Sequence, residues 1–310
     1  MTQPSTKWKE NIEPDEADMF ALEADIVGAI QKKYSRLYQC PGKAFHRKQL
    51  LAAEAVFEVL DELPPYVRFG VFAQPRTFDS LVRLSNASTR IYEDARPDIR
   101  GFAIKVLGVE GKNTLNGGPA KEHNILMVQT DPFGASNLDF IRFVQATDAK
   151  QGDYKNAPGR PFSGFAVDTF HTKTPFCVGP YAARGRLTPP MGQAADLSGS
   201  NDWGADVVSR LPLTWEYQLQ FYVNDTDTPI DDATKPWNET ASPYVTVARL
   251  TIPAQEITPE WSDGVINKTF LLWDTLEAHR PLGEVNRARR VVMDRSVENR
   301  RGLNRLGEDA

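Results

Sequence analysis

Histidine and cysteine are scarce in this 310-residue chain, with four of the first at 46, 123, 171 and 279 and two of the second at 40 and 177. Two widely separated cysteines make neither a disulfide framework nor a metal-spaced pair, and they read as reduced, buried thiols. None of the histidines stands in H-E-x-x-H or another zinc spacing, which sets zinc enzymes aside. The chain also lacks a G-x-S-x-G elbow, a Walker loop and a G-x-G-x-x-G between strand and helix, so the usual hydrolase, nucleotide and dinucleotide readings fail. No apolar run approaches the roughly 20 residues of a membrane span, and the polar start has no signal-type apolar region, so a cytosolic protein is expected. Basic residues number 36 against 41 acidic ones, a net charge of −5. With no Lys/Arg block or basic-aromatic array, a nucleic-acid partner is not expected.

What is present is a middle rich in strand signals between helical ends. Met19, Phe20, Ile26, Val27 and Ile30 fall at helical spacing and predict an amphipathic helix over about 16–34. After Pro41-Gly42, the segment KAFHRKQLLAAEAVFEVLDEL is helix or strand on pattern alone. β-Branched and aromatic runs at 66–73, 80–85, 101–109 and 124–129, separated by Pro, Asp, Asn and Gly, predict strands. A turn is expected at 131–134 and a helical period over 136–146. Residues 150–206, rich in Gly, Pro, Ala and Thr, read as long loops. Leu213, Trp215, Tyr217, Leu219, Phe221 and Val223 alternate with polar residues, the clearest half-buried strand, and another follows at 244–252. The expected class is α+β: an antiparallel β-barrel core with flanking helices, residues 1–39 as a helical arm and 40–310 as one core.

The last helix is predicted over 284–300, entered through a Pro-Leu-Gly turn. It carries arginines at 287, 289, 290, 295 and 300 around a narrow stripe of Val285, Ala288, Val292 and Ser296. Singly, the segments around His46, Ser85 and Asp98 to Arg100 read as a satisfied histidine and two turns. In order, KAFH, VRLS, DIRGFAIK and the arginine helix resemble the heme-binding core of the catalase family. The similarity is greater to its short, single-core bacterial members, through PIDDATKPWNE, ARLTIPAQ and W-x-x-L-x-x-HRPLG-x-x-NRAR, and it runs from about residue 40 to 301.

The resemblance implies a catalase-type barrel, heme b, and peroxide or a small organic hydroperoxide as substrate. It implies His46 as distal acid and base, Ser85 as its orienting partner and Asn124 as the distal amide, with His123 as rival. Arg83, Arg100 and Arg300 become partners for heme carboxylates, since a guanidinium matches a carboxylate in two hydrogen bonds. Phe140 would cover a heme face, and a homo-oligomer is the implied assembly. The departure is proximal. Arg289 fits the family arginine that precedes the axial tyrosine by four residues, and Arg300 fits another seven beyond it, yet the residue between is Met293 and no tyrosine follows Tyr244. A neutral thioether does not supply the negative charge of a phenolate, so weak or absent catalase turnover is expected. A peroxidase-like or tailoring oxidoreductase follows. The alternative is a catalase-fold binding or scaffold protein with altered or lost heme binding. His279 and Cys177 are discounted as replacement ligands.

Overall fold

A computed structural model describes residues 3–129, 131, 136–149, 162–195 and 202–308. Eight antiparallel strands close into a barrel. β1 (Gln49–Val59), β2 (Arg76–Asn86), β3 (Arg100–Leu107) and β4 (Glu122–Val128) run one way around it. On the other side β1 pairs β9 (Val245–Ile252), followed by β8 (Leu213–Phe221) and β7 (Tyr181–Thr188). β5 (Phe170–His171) pairs both β4 and β7 and completes the ring, while β6 (Phe176–Val178) forms a hairpin on β7. Closure removes the exposed edges that an open sheet of this size would present.

The alternation that predicts the strands also divides their faces. Val82, Leu84, Phe102, Ile104, Trp215 and Leu250 point inward and have no accessible surface. The residues between them point outward, and register fixes which of these are neighbours. One outer rung runs Ser85, Gly101, Val128, His171, Arg186, and the next carries Arg83, Ala103 and Leu126. A small-residue floor at Gly101 and Ala103 therefore lies beside two functional candidates.

Helices cover that outer wall. α1 (Glu16–Leu37) packs along α5 (Glu284–Glu308), with Gln31 donating to the Ser296 carbonyl at 3.0 Å and Asn299 donating to Gln31 at 3.0 Å. α2 (Asn137–Ala149) brings Ile141 and Phe140 against Val27, Ala44, Phe45 and Val292. The predicted α5 stripe is found, with Val285 and Ala288 buried and the Ser296 hydroxyl accepting from the Ala44 amide at 3.2 Å.

Several expectations need correction. Residues 66–73 form turns and a single 3-10 turn (Gly70–Phe72), because Gly70 takes a left-handed φ of 56° where an added Cβ would strike His279. The loops expected over 150–206 contain β5, β6, β7 and α3 (Trp203–Ser209), and α4 (Pro259–Ile266), capped by Thr258, was not foreseen. The ambiguous segment after Lys48 is strand β1. Of the turn expected at 131–134, residues 132–134 lie outside the described residues.

Candidate functional site

His46 lies on the loop between α1 and β1 at φ 54°, a left-handed conformation that non-glycine residues rarely adopt and that concentrates at functional positions. The loop is pinned on both sides. The His46 amide donates to the Ala87 carbonyl at 2.9 Å, and Arg83 donates to the His46 carbonyl at 2.7 Å. His46 Nδ1 meets the Ser85 hydroxyl at 3.0 Å, and the ring lies over Gly101, where a Cβ would approach within 2.5 Å of it. Only glycine leaves that space to the imidazole. Burial, then the charges of Arg83 and Arg289, push the His46 pKa down to about 3, so the ring is neutral at ordinary pH. With Nδ1 on Ser85, Nε2 has no protein partner among the described residues and can take and return a proton.

The charges around His46 are of one sign. Arg83 donates Nε to Gln49 at 3.1 Å, and its pKa is lowered to about 9 by burial and then Arg300. Lys43, three residues before His46, donates to the Ile266 carbonyl at the end of α4, and burial, Arg83 and Arg300 bring it down to about 6. Arg300 has a buried Nε without a partner among the described residues, and burial lowers Arg289 to about 10. Among the described residues none of Lys43, Arg83, Arg289 and Arg300 forms a salt bridge. Arg289, Met293, Ser296 and Arg300 are spaced by 4, 3 and 4 residues, a single face of α5. That face meets the His46 loop through Ser296 and couples electrostatically to His46 and Lys43 through its arginines.

Arg83 is buried and Lys43, Arg289 and Arg300 are half-buried, and a set of guanidinium groups without counter-charges among the described residues favours an anionic ligand, because an unpaired charge away from water is costly. Lys43 was not among the residues singled out from the sequence. Its only signal there is a cation beside Pro41-Gly42 and three residues ahead of His46.

Two predicted site residues are placed elsewhere. Arg100 turns away from His46, donating to Asn86 Oδ1 and to the Asp94 and Arg96 carbonyls, the last two at 2.7 and 2.9 Å. It stands at the strand's start with the parity of the inward residues, so it ties down the 94–96 loop. Asn124 shares the outer face but pairs Lys105, whereas Gly101 beneath His46 pairs Val128. Four residues of strand separate the two positions, about 13 Å. Its amide donates to Glu122 at 3.0 Å and to the Asp274 carbonyl at 2.9 Å. His123 has inward parity and bonds Thr275. Phe140 packs on Phe45, one residue before His46, at 5.7 Å between ring centroids.

The discounted ligands have structural partners. His279 accepts from the Val71 amide at 2.9 Å and lies 3.1 Å from the Cys177 carbonyl, so both ring nitrogens are used. Cys177 is buried, with its pKa raised to about 11.

A closed eight-stranded antiparallel barrel, with five α-helices among the described residues, matches the fold of solved catalases. Among solved structures the chain is similar to a fungal catalase at 14% identity and TM-score 0.66, covering 98% of this chain and 66% of that one. It is also similar to catalase A from Saccharomyces cerevisiae, at 13% identity and TM-score 0.65, covering 97% and 67%. The chain thus has the catalase fold and spans about two thirds of those proteins' length. No family model and no curated protein sequence matches it. No helix among the described residues is long and apolar enough to cross a membrane.

The donor set fits heme on the side of His46. A neutral imidazole keeps one nitrogen without a protein partner among the described residues, Arg83 and Arg300 offer charge for a dicarboxylate, and Lys43 can gain its proton when the anion arrives. On α5 the face that carries Arg289 and Arg300 also carries Met293, an uncharged thioether.

The lysines give this site a pH signature. Burial holds Lys43 near 6 and Lys173 near 7, against 10.5 for a free lysine. Between pH 7 and 9 the folded chain holds these amines neutral while the unfolded chain binds the protons. Stability therefore rises with pH in that window, by up to about 1.4 kcal/mol per pH unit for each group. Denaturant melts of the ligand-free protein at pH 7, 8 and 9 should show this rise, and Lys43→Met should flatten it. An unchanged slope in that variant would mean that Lys43 stays charged in the fold.

Proposed function

We propose that this chain is a heme-dependent, catalase-like oxidoreductase of the short, single-core kind, acting in the cytosol on peroxide or a small organic hydroperoxide. True catalase turnover would be weak or absent, because Met293 stands where the resemblance implies a tyrosine. The observation that carries this reading is the pairing of His46 with Ser85 over Gly101, beside arginines that have no carboxylate partner among the described residues.

Heme, when bound, supplies the iron at which a peroxide is reduced. The protein's part follows from its own groups. His46 Nε2 could take the proton from a peroxide held at the site and return it to the departing oxygen, which would leave as water or, from an organic hydroperoxide, as an alcohol, with the two electrons supplied by the heme when it is bound. Ser85 fixes the ring so that Nε2 is the nitrogen available. Arg83 holds the loop through the His46 carbonyl, and with Arg300 it supplies the charge that a dicarboxylate requires, Lys43 gaining its proton as the anion binds.

A second reading, a non-catalytic binding or scaffold protein, draws on Met293 and on the engagement of Asn124 with Glu122 and Asp274.

The deciding measurement is an absorption spectrum from about 350 to 700 nm on protein supplied with hemin, with pyridine-hemochrome quantification, before and after dithionite. A stoichiometric Soret band without phenolate-type features is the expected result. No Soret band at any hemin excess would remove the heme reading and leave the scaffold.

A further inference from the structure

The arginines of α5 are not treated alike by the rest of the chain. Arg287 is surrounded by carboxylates, Glu16 at 2.6 Å, Glu10 at 2.7 Å and Asp231 at 3.8 Å. Arg295 pairs with Asp25, and Arg290 lies 5.2 Å from the Trp273 ring centroid. Arg289 points to the barrel side and has no acidic partner among the described residues. Its one protein hydrogen bond there, 3.3 Å to Asn286 Oδ1, is long, and it goes to an acceptor already used by Thr174 at 2.8 Å. The Asn286 amide cannot swing to improve it, being fixed by the Pro175 and Leu282 carbonyls at 3.0 and 2.9 Å.

His46 and Lys173 beside Arg289 supply no negative charge to offset it. His46 and Lys173 are both close enough for the Arg289 charge to lower their proton affinity. The nearby acid, Asp131, is engaged by Arg184 and lies 3.9 Å from His171. One turn along the same face of α5 stands Met293, which carries no charge.

We infer that Arg289 anchors a binding site for a small monocarboxylate on the inner side of α5, beside Lys173. A planar guanidinium pairs a carboxylate through two parallel hydrogen bonds, and one buried positive charge is balanced by one negative charge. A dianion would bring a second charge out of water without a partner. The site is separate from the cluster that heme carboxylates would occupy. Arg300 lies eleven residues further along α5, about 16 Å of helix rise, and Lys43 and Arg83 couple to that end. The inference goes beyond the heme reading, since it stands on the pocket's own charges and holds with or without the tetrapyrrole. The carboxylate comes either from a free small acid or from the head group of an organic substrate.

The test uses the full chain as purified, with sodium formate titrated against sodium chloride at matched ionic strength, read by thermal melting and by calorimetry. Formate should stabilise the wild type saturably. Arg289→Gln should weaken its apparent affinity by about tenfold or more, as expected for a lost charge-assisted hydrogen bond, while Arg83→Gln retains it.

Should Arg289→Gln fold poorly, Met293→Glu decides the matter. A carboxylate placed one turn from Arg289 should raise the melting temperature of the ligand-free protein and abolish the formate response. Hexanoate distinguishes the sources: tighter binding than formate indicates a substrate head group, and equal or weaker binding a free small acid. No stabilisation beyond chloride in the wild type, or an equal formate response in wild type and Arg289→Gln, overturns the site. A chain that takes up no hemin but answers formate through Arg289 would end the heme reading and leave this one standing.

Discussion

Replacing His46 by Gln is expected to lower peroxide-dependent oxidation by the hemin-loaded protein about 10²- to 10⁴-fold, the usual contribution of a positioned acid-base group. Hemin uptake should be largely unchanged. The reason lies in what surrounds the ring. His46 is neutral because burial and two arginines oppose its protonation, and its Nδ1 is held by Ser85. In the tautomer whose Nδ1–H donates to the Ser85 hydroxyl, Nε2 is unprotonated and able to accept a proton from a peroxide that is itself a weak acid. Glutamine can hydrogen-bond the peroxide but cannot carry the proton between its oxygens. Ser85→Ala leaves the imidazole in place and frees its orientation, so its loss of rate should be smaller and in the same direction. Single-turnover mixing with hydrogen peroxide, followed at the Soret band, measures the step directly. If His46→Gln matched the wild-type rate at equal heme occupancy, the acid-base role would be untenable.

The strands were legible where polar and apolar residues alternate. β8 follows its predicted pattern, with Leu213, Trp215, Tyr217, Leu219 and Phe221 buried and Thr214 and Glu216 exposed. β5 and β6 were not legible, because strands of two and three residues are too short to show a period. β7 was hidden differently: Ala183, Gly185 and Leu187 face inward between arginines, and small residues give weak contrast. The site divides on the same physical grounds. His46, Ser85, Arg83, Arg289 and Arg300 belong to segments whose order and spacing resemble a known family, and the fold brings them to one outer face of the barrel and the helix above it. Where an arginine points is decided by parity and by the carbonyls within its reach, and Arg100 finds the Asp94 and Arg96 carbonyls. Lys43 acquires its meaning only from Arg83 and Arg300, which are remote in sequence.

The largest gain of function is expected from Met293→Tyr. On α5 the new phenol would stand four residues after Arg289, on the same face and one turn away. That spacing lets an uncompensated guanidinium draw down the phenol's pKa, because an adjacent opposite charge favours the ionised form. Arg289 is suited to this, having no carboxylate among the described residues to share its charge. A phenolate would supply the negative charge that favours the oxidised metal, which the thioether lacks. Hemin-loaded Met293→Tyr should therefore evolve oxygen from hydrogen peroxide at least about tenfold faster than the parent, equivalent to about 1.4 kcal/mol of barrier, with a ferric spectrum shifted toward that of a phenolate complex. Two controls separate charge from bulk. Met293→Phe fills similar space without an ionisable oxygen and should show neither effect, and Arg289→Gln combined with Met293→Tyr should lose most of the gain, because the phenol then stays protonated. An oxygen-evolution rate in Met293→Tyr no higher than in Met293→Phe, at equal heme occupancy, would mean that this face of α5 does not present residue 293 to the metal, and the assignment of Met293 to the axial position would have to be given up.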